Sequence, residues 1–293
     1  MRASLIALLL LVTFGCARGI DPNPGEIVHR EKSMYRDIIV RDTETHRYLS
    51  FARRGGMQSC IIKEAPDLLA IPYTRGVFTG LLANPKAHRV LVIGLGGGVI
   101  PSAMRRIDPT IQIDVIELDP AVVNVAKRYF GYREDPHLRT MIGDGRVFVR
   151  RQVRAGVQYD LIVIDAYERV YVPGHMMSRE FIGEVKSLLA PGGVVASNTF
   201  ARGPLAPYEA ATYQSVFGDI RTVYMAMGNR IILAARDGLP DQPTIRQNAE
   251  RMERQFESVG IVMHELESQV QPKVEGYRPL TDQYAPVNLL FGE

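Results

Sequence analysis

Several carboxylates stand where short apolar runs end: Glu117 and Asp119 after "IQIDVI", Asp144 inside "GDG", and Asp165 after "YDLIVI". The run "VLVI" ends in glycines instead, at Gly94, Gly96, Gly97 and Gly98. Glycines let a backbone approach a ligand closely, and a helix beginning there presents its positive N-terminus. Glu117, 23 residues after Gly94, is spaced to accept hydrogen bonds from both hydroxyls of a ribose. Asp119 before Pro120 reads as a helix N-cap. Asp144 can accept from the exocyclic amine of adenine, and the same carboxylate can cap the helix that starts at Gly145. Asp165 closes a nearly unbroken apolar strand, so it is either hydrogen-bonded to the next loop or a proton acceptor in chemistry. No Lys-Ser or Lys-Thr pair follows the glycines, which excludes a P-loop. Val99 fills the third glycine position of G-x-G-x-x-G, which breaks the dehydrogenase fingerprint. The remaining chemistry is that of an adenosine without phosphates, a sulfonium nucleoside.

Parallel strands would bring these residues to one edge. From Arg89 the runs "RVLVIG", "IQIDVIEL", "LRTMIG", "YDLIVID" and "GGVVASNTF" alternate with helical stretches beginning near Gly98, Pro120, Gly145 and Ser178. Such alternation predicts a parallel sheet covered on both faces, with its ligand beyond the carboxyl ends of the strands. "DIRTVYMAM", Gly228-Asn229 and "RIILAAR" predict a hairpin. The expected fold class is therefore α/β: a methyltransferase-like, doubly wound, mostly parallel seven-stranded sheet with an antiparallel last strand. A small N-terminal antiparallel β-domain should precede it, formed by "YRDIIVRD", "HRYLSFAR" and "MQSCIIK". "APDLLAIPYTRGVFTGLLANP" predicts a helix bridging the two parts, disturbed in its middle by Pro72 and Gly76. The expected divisions are a leader-like segment (1–20), then linker, β-domain and bridging helix (21–84), then a nucleoside-binding catalytic domain (85–293).

Composition narrows the function. Hydrophobic residues make up 46% of the 293 and charged residues 23%, enough for an ordinary globular core. A net charge of +3 argues against nucleic acid as a partner. Arg146, Arg150, Arg151 and Arg154 have helical spacing and read as a solvated helix face. Two cysteines and scattered histidines predict no disulfide framework and no metal site. "MRASLIALLLLVTFGCARG" has the layout of a secretory leader, and Gly15-Cys16 resembles the end of a lipoprotein signal. Membrane contact is expected only through that segment, with export or tethering as the expected location and the cytoplasm as the alternative.

From about Tyr35 to Asn198 the sequence resembles the spermidine synthases, the aminopropyltransferases of polyamine synthesis. The resemblance lies in the order "VLVIGLGGG…VIELD…GDGRVFV…YDLIVIDAYE". "PLTDQYAPVNLL" resembles the tail of divergent spermidine synthase-like proteins. The resemblance implies transfer of an aminopropyl group from decarboxylated S-adenosylmethionine to a small-molecule amine such as putrescine, in a protein that often forms homodimers. It assigns Gly94, Gly96, Gly98, Glu117, Asp144, Gly145 and Gln58 to the donor. Tyr73 and Glu168 fall to the acceptor amine, and Asp165 becomes the catalytic base. Two positions depart from the family. Gly97 replaces an aspartate that grips the donor's amine, and Tyr73-Thr74-Arg75 replaces "YHE" or "YQE". Both departures suit a donor that keeps its carboxylate. Methyl transfer from S-adenosylmethionine is therefore the alternative, with a non-catalytic nucleoside- or polyamine-binding protein as a third.

Overall fold

The structure, a computed structural model, describes residues 25–51, 56–166 and 174–285. The leader-like segment with Cys16 lies outside the described residues, and so does Glu168.

Strands β1 (Glu26–Lys32), β2 (Asp37–Asp42), β3 (His46–Phe51) and β4 (Met57–Ile62) form an antiparallel sheet in chain order. The last three are the expected strands. β1 comes from "EIVHREK", whose charged residues sit on an exposed edge and hide its strand character. The sheet packs Ile38, Val40, Leu49 and Ile61 onto Ala121, Val122 and Val125 of helix α4 (Pro120–Tyr129). Ser33 donates to Asp119, the N-cap of that helix, at 2.6 Å.

The chain then forms two short helices, α1 (Pro72–Gly76) and α2 (Thr79–Ala83), where one bridging helix was expected. Pro72 stands at the start of α1, where its missing N–H costs nothing, so it opens a helix and does not disturb one. Both helices are buried against the large sheet.

That sheet contains β5 (Arg89–Ile93), β6 (Gln112–Glu117), β7 (Leu138–Ile142), β8 (Tyr159–Ile164), β9 (Leu189–Phe200), β10 (Arg221–Tyr224), β11 (Asn229–Ala235) and β12 (Gln269–Val270). Its spatial order is β12-β10-β11-β9-β8-β5-β6-β7. β7, β6, β5, β8 and β9 pair in parallel, while β11 runs antiparallel to both β9 and β10. The seven expected strands are present, and two-residue β12 extends the edge beyond β10. The hairpin turns at Ala226–Gly228, one residue earlier than expected, and Asn229 already belongs to β11. Helices α3 (Val99–Ile107), α4, α5 (Gly145–Arg154), α6 (Arg179–Leu188) and α7 (Ala206–Phe217) follow β5, β6, β7, β8 and β9 in turn. α8 (Gln242–Glu257) follows β11.

The arginine cluster on α5 is not wholly a solvated face. Arg146 is buried and donates to Glu184 at 3.0 and 3.1 Å and to Asp282 at 2.5 and 2.8 Å. Only Arg150, Arg151 and Arg154 face water. Asp282 belongs to the "PLTDQY" stretch, so Arg146 fastens the C-terminal segment to the sheet domain. Among the described residues no helix is long and apolar enough to cross a membrane.

Candidate active site

The crossover at β5 and β8 places Asp165 beside the glycine loop. β5 pairs with β8 through Ile93 and Ile164, and the Asp165 N–H donates to the Ile93 carbonyl at 2.8 Å. Gly94 turns away with φ +96°, and a Cβ there would lie 2.2 Å from the Asp165 carbonyl oxygen. Only glycine lets the two strand ends meet this closely. Gly96 and Gly98 also have positive φ, at +56° and +75°, and a Cβ on Gly98 would enter the Tyr132 ring. Gly145 serves packing: a Cβ there would lie 2.8 Å from Ile93.

Asp165, Tyr73 and Gln58 share a cavity of about 420 Å³. Gln58 comes from β4, Tyr73 from α1 and Asp165 from the end of β8. The Tyr73 hydroxyl lies 3.3 Å from Asp165 Oδ2 and 3.1 Å from the Gln58 carbonyl, and it can donate to either. On the other side Asn198 donates to Asp165 Oδ1 at 2.9 Å, and Asn229 donates to Asn198 Oδ1 at 2.9 Å. The two asparagines stand near the facing ends of β9 and β11, and both line the cavity. Asn198 follows the same strand-end rule as Asp165, which is the signal that could have found it. Asn229 is invisible without the antiparallel pairing.

Burial pushes the Asp165 carboxyl up to about 6. The donors on Asn198 and Tyr73 hold it down, and the charge of Glu117 adds to the rise. No cation among the described residues acts on it. A buried carboxylate open to a cavity, titrating near neutrality and without a cationic partner among the described residues, is equipped to take a proton from a bound group. Tyr73 is driven well above its usual value by burial and then by Asp165, so it stays a neutral donor.

Glu117 ends β6 and is buried. Its carboxylate accepts from the N–H of Leu95 and of Asp119, both at 2.9 Å, which ties it to the glycine loop. Burial nevertheless raises its pKa. Each oxygen keeps a lone pair for a hydroxyl donor. Neither Glu117 nor the glycine loop lines the cavity of Asp165, and neither does Asp144, which follows β7. Asp144 caps α5 through Val147 N–H at 2.9 Å, and His175 Nε2 lies 3.1 Å from its other oxygen. Ile142 and Val147, exposed at 51% and 66%, flank it in sequence and offer apolar surface.

The two departures have local causes. Ser59 Oγ accepts from Gly97 N–H at 2.7 Å, and a Cβ on Gly97 would lie 2.8 Å from Ser59 Cβ. Ser59 fills the space an aspartate would need. Arg75 does not line the cavity. It is buried and donates to Glu265 at 2.7 Å and to the Leu69 carbonyl at 2.7 Å. The notion that Arg75 faces an acceptor or a donor carboxylate is thereby corrected. No group of three or more potential metal ligands occurs among the described residues.

Known proteins resemble this chain in sequence and in fold. The spermine/spermidine synthase domain matches residues 77–225. A polyamine aminopropyltransferase of Vibrio vulnificus is 39% identical over 272 residues, covering 90% of this chain and 91% of that protein. A putrescine N-methyltransferase of Nicotiana tabacum is 30% identical over 179 residues, covering 59% of this chain and 45% of its own length. Among solved structures, a probable spermidine synthase from Corynebacterium glutamicum superposes with a TM-score of 0.69 at 20% identity, covering 88% of this chain and 97% of that one.

Proposed function

The chain belongs to the spermine/spermidine synthase family and is a transferase, and from that premise we propose that it moves an aminopropyl group from decarboxylated S-adenosylmethionine to a small-molecule amine. The observation that carries this reading is Asp165: a carboxylate without a cationic partner among the described residues, open to the cavity and hydrogen-bonded by Tyr73 and Asn198. In this reading Glu117 takes the ribose hydroxyls, Asp144 the adenine amine, and the loop Gly94–Gly98 and Gln58 the remainder of the donor. Gly145 packs beneath that site, and Tyr73 lines the acceptor side. Glu168, outside the described residues, remains assigned to the acceptor by the family resemblance alone.

An alkylammonium has a pKa near that of lysine, about 10.4, and is a poor nucleophile at neutral pH. Asp165 orients the ammonium and accepts its proton. The freed nitrogen forms a bond to the carbon beside the sulfonium, that C–S bond breaks, and its electron pair leaves with sulfur as a neutral thioether. The sulfonium is already an activated leaving group, so alignment supplies most of the rate. Tyr73 and Asn198 hold both carboxylate oxygens and leave the remaining lone pairs to the amine.

Methyl transfer from S-adenosylmethionine is the second reading, favoured by the likeness to putrescine N-methyltransferase. One of its supports is gone, because Arg75 is committed to Glu265. Parallel calorimetric titration with decarboxylated and ordinary S-adenosylmethionine separates the two. Tighter binding of the decarboxylated donor supports aminopropyl transfer, and tighter binding of the carboxylated one supports methyl transfer. A homodimer, and tethering of the chain through its leader-like segment, are proposed on the resemblance and the sequence pattern.

A further inference from the structure

Met227 is the one non-glycine residue with a positive φ among the described residues, at φ +70° and ψ +10°. It stands at the tip of the β10–β11 hairpin, where turns favour glycine or asparagine. With a Cβ the left-handed conformation is strained, because that carbon crowds the backbone. Two hydrogen bonds hold the tip in place. Met225 N–H donates to the Asn229 carbonyl at 2.9 Å, and Ala201 N–H donates to the Gly228 carbonyl at 2.9 Å. The second ties the hairpin to the loop after β9. Core packing does not account for the methionine, which is 54% exposed. It does line the cavity of Asp165, together with Phe200 and Leu205. Two residues onward, Asn229 reaches Asp165 through Asn198. Strain enforced by the surrounding structure beside a functional cavity points to a role in that cavity.

An aliphatic amine needs two kinds of contact. Its nitrogens fall to Asp165 and, by the family resemblance, to Glu168, which lies outside the described residues. The methylenes between them need apolar surface, and covering them removes that surface from water. Methionine suits the task, because its unbranched thioether adapts to an alkyl chain. We propose that Met227 is a specificity-determining residue for the acceptor, held in a strained turn so that its side chain covers the acceptor's alkyl segment. This rests on the aminopropyl-transfer reading and deepens it at the acceptor side.

The test uses the full chain with decarboxylated S-adenosylmethionine and either putrescine or cadaverine, following product mass. Donor binding is measured separately by calorimetry, and stability by thermal melts. Met227→Gly removes the strain and the side chain together. Met227→Asn also suits the turn but replaces the apolar surface with an amide, whereas Met227→Leu keeps both strain and apolar surface. Met227→Gly and Met227→Asn should raise the acceptor KM about fivefold to thirtyfold, with kcat and donor affinity little changed. Both should melt about 1–4 °C higher than wild type, because the strain is gone. Met227→Leu should bring KM back to within about threefold and melt like wild type. A gain in stability coupled to a loss of acceptor affinity is what strain kept for binding produces, and a packing role would not give it. An acceptor KM unmoved in Met227→Gly would overturn the inference and leave aminopropyl transfer intact. A lower melting temperature in Met227→Gly would overturn it equally, by showing that the side chain supports the fold. Wild type that binds the donor but yields no product from either diamine would overturn the aminopropyl reading and this inference together.

Discussion

Gly94 and Asp165 meet backbone to backbone: no side-chain carbon fits on the glycine without entering the aspartate's carbonyl, 2.2 Å away. The carboxylate proposed as base is therefore aimed by the same contact that opens the glycine loop. Gly94→Ala should lose both stability and turnover. Left-handed strain costs about 1–2 kcal/mol by itself, and the clash adds to it. Gly131→Ala is the control, because Gly131 has φ +72° but nothing within 4 Å of a Cβ. Denaturant melts should show Gly94→Ala clearly the less stable. Equal losses would mean that the contact with Asp165 gives way easily.

Asp165→Asn should bind donor but lose about a hundredfold to ten-thousandfold in kcat, since an amide cannot accept the proton. The variant should also be more stable at neutral pH. Burial holds the Asp165 carboxyl at about 6 in the fold, above the ordinary carboxylate value, so the ionised form is disfavoured there. Its contribution favours the fold below the ordinary carboxylate range and is lost as pH rises through about 6. Removing the charge recovers on the order of 2–3 kcal/mol. The hydrogen bonds survive the change, because Tyr73 can turn its proton to the Gln58 carbonyl and accept from the new amide. A variant that retains near-wild-type turnover would remove Asp165 from the role of base.

The rate should carry the same pKa. A base that titrates near 6 gives kcat/KM an acid limb falling about tenfold per pH unit below that value. Tyr73 donates to the charged form, so Tyr73→Phe should move the limb to higher pH. A limb that stays in place in Tyr73→Phe would show that the hydroxyl serves the Gln58 carbonyl and not the carboxylate.

Residues at the ends of parallel apolar strands were readable in advance because strand direction and ligand side are coupled in this fold. Asp165, Glu117 and the glycines followed from that coupling, and the Asp119 cap followed from the proline after it. Asn198 obeys the same rule but reads as one more residue of its strand until Asp165 is found 2.9 Å away. Arg75 and Arg146 could not be read correctly, since their partners Glu265 and Asp282 lie 190 and 136 residues onward. An arginine's spacing shows only which face it leaves from, and its counter-ion is set by tertiary folding.

Arg146 extends this dependence from the C-terminal segment to Asp144. Besides its two carboxylates it donates to the His175 carbonyl at 2.9 Å, and the His175 ring lies 3.1 Å from Asp144. Arg146→Met should leave Asp282 without its two-pronged guanidinium partner and Glu184 with only the exposed Arg150. Both reach water, so the loss should fall to about 2–3 kcal/mol, below that of a fully buried pair. Arg150→Ala, which removes an exposed partner of Glu184, should cost well under 1 kcal/mol. Arg146 holds the Asp282 carboxyl below its usual value, so that contribution is present above the ordinary carboxylate range and lost as pH falls through the depressed value. The variant should lack this part of the acid dependence. Urea denaturation across pH, protease sensitivity of the C-terminal segment and donor titration together check the chain of contacts. Weakened donor binding alongside a loosened tail would tie Asp144 to Arg146 through His175. A loosened tail with unchanged donor affinity would confine Arg146 to stability.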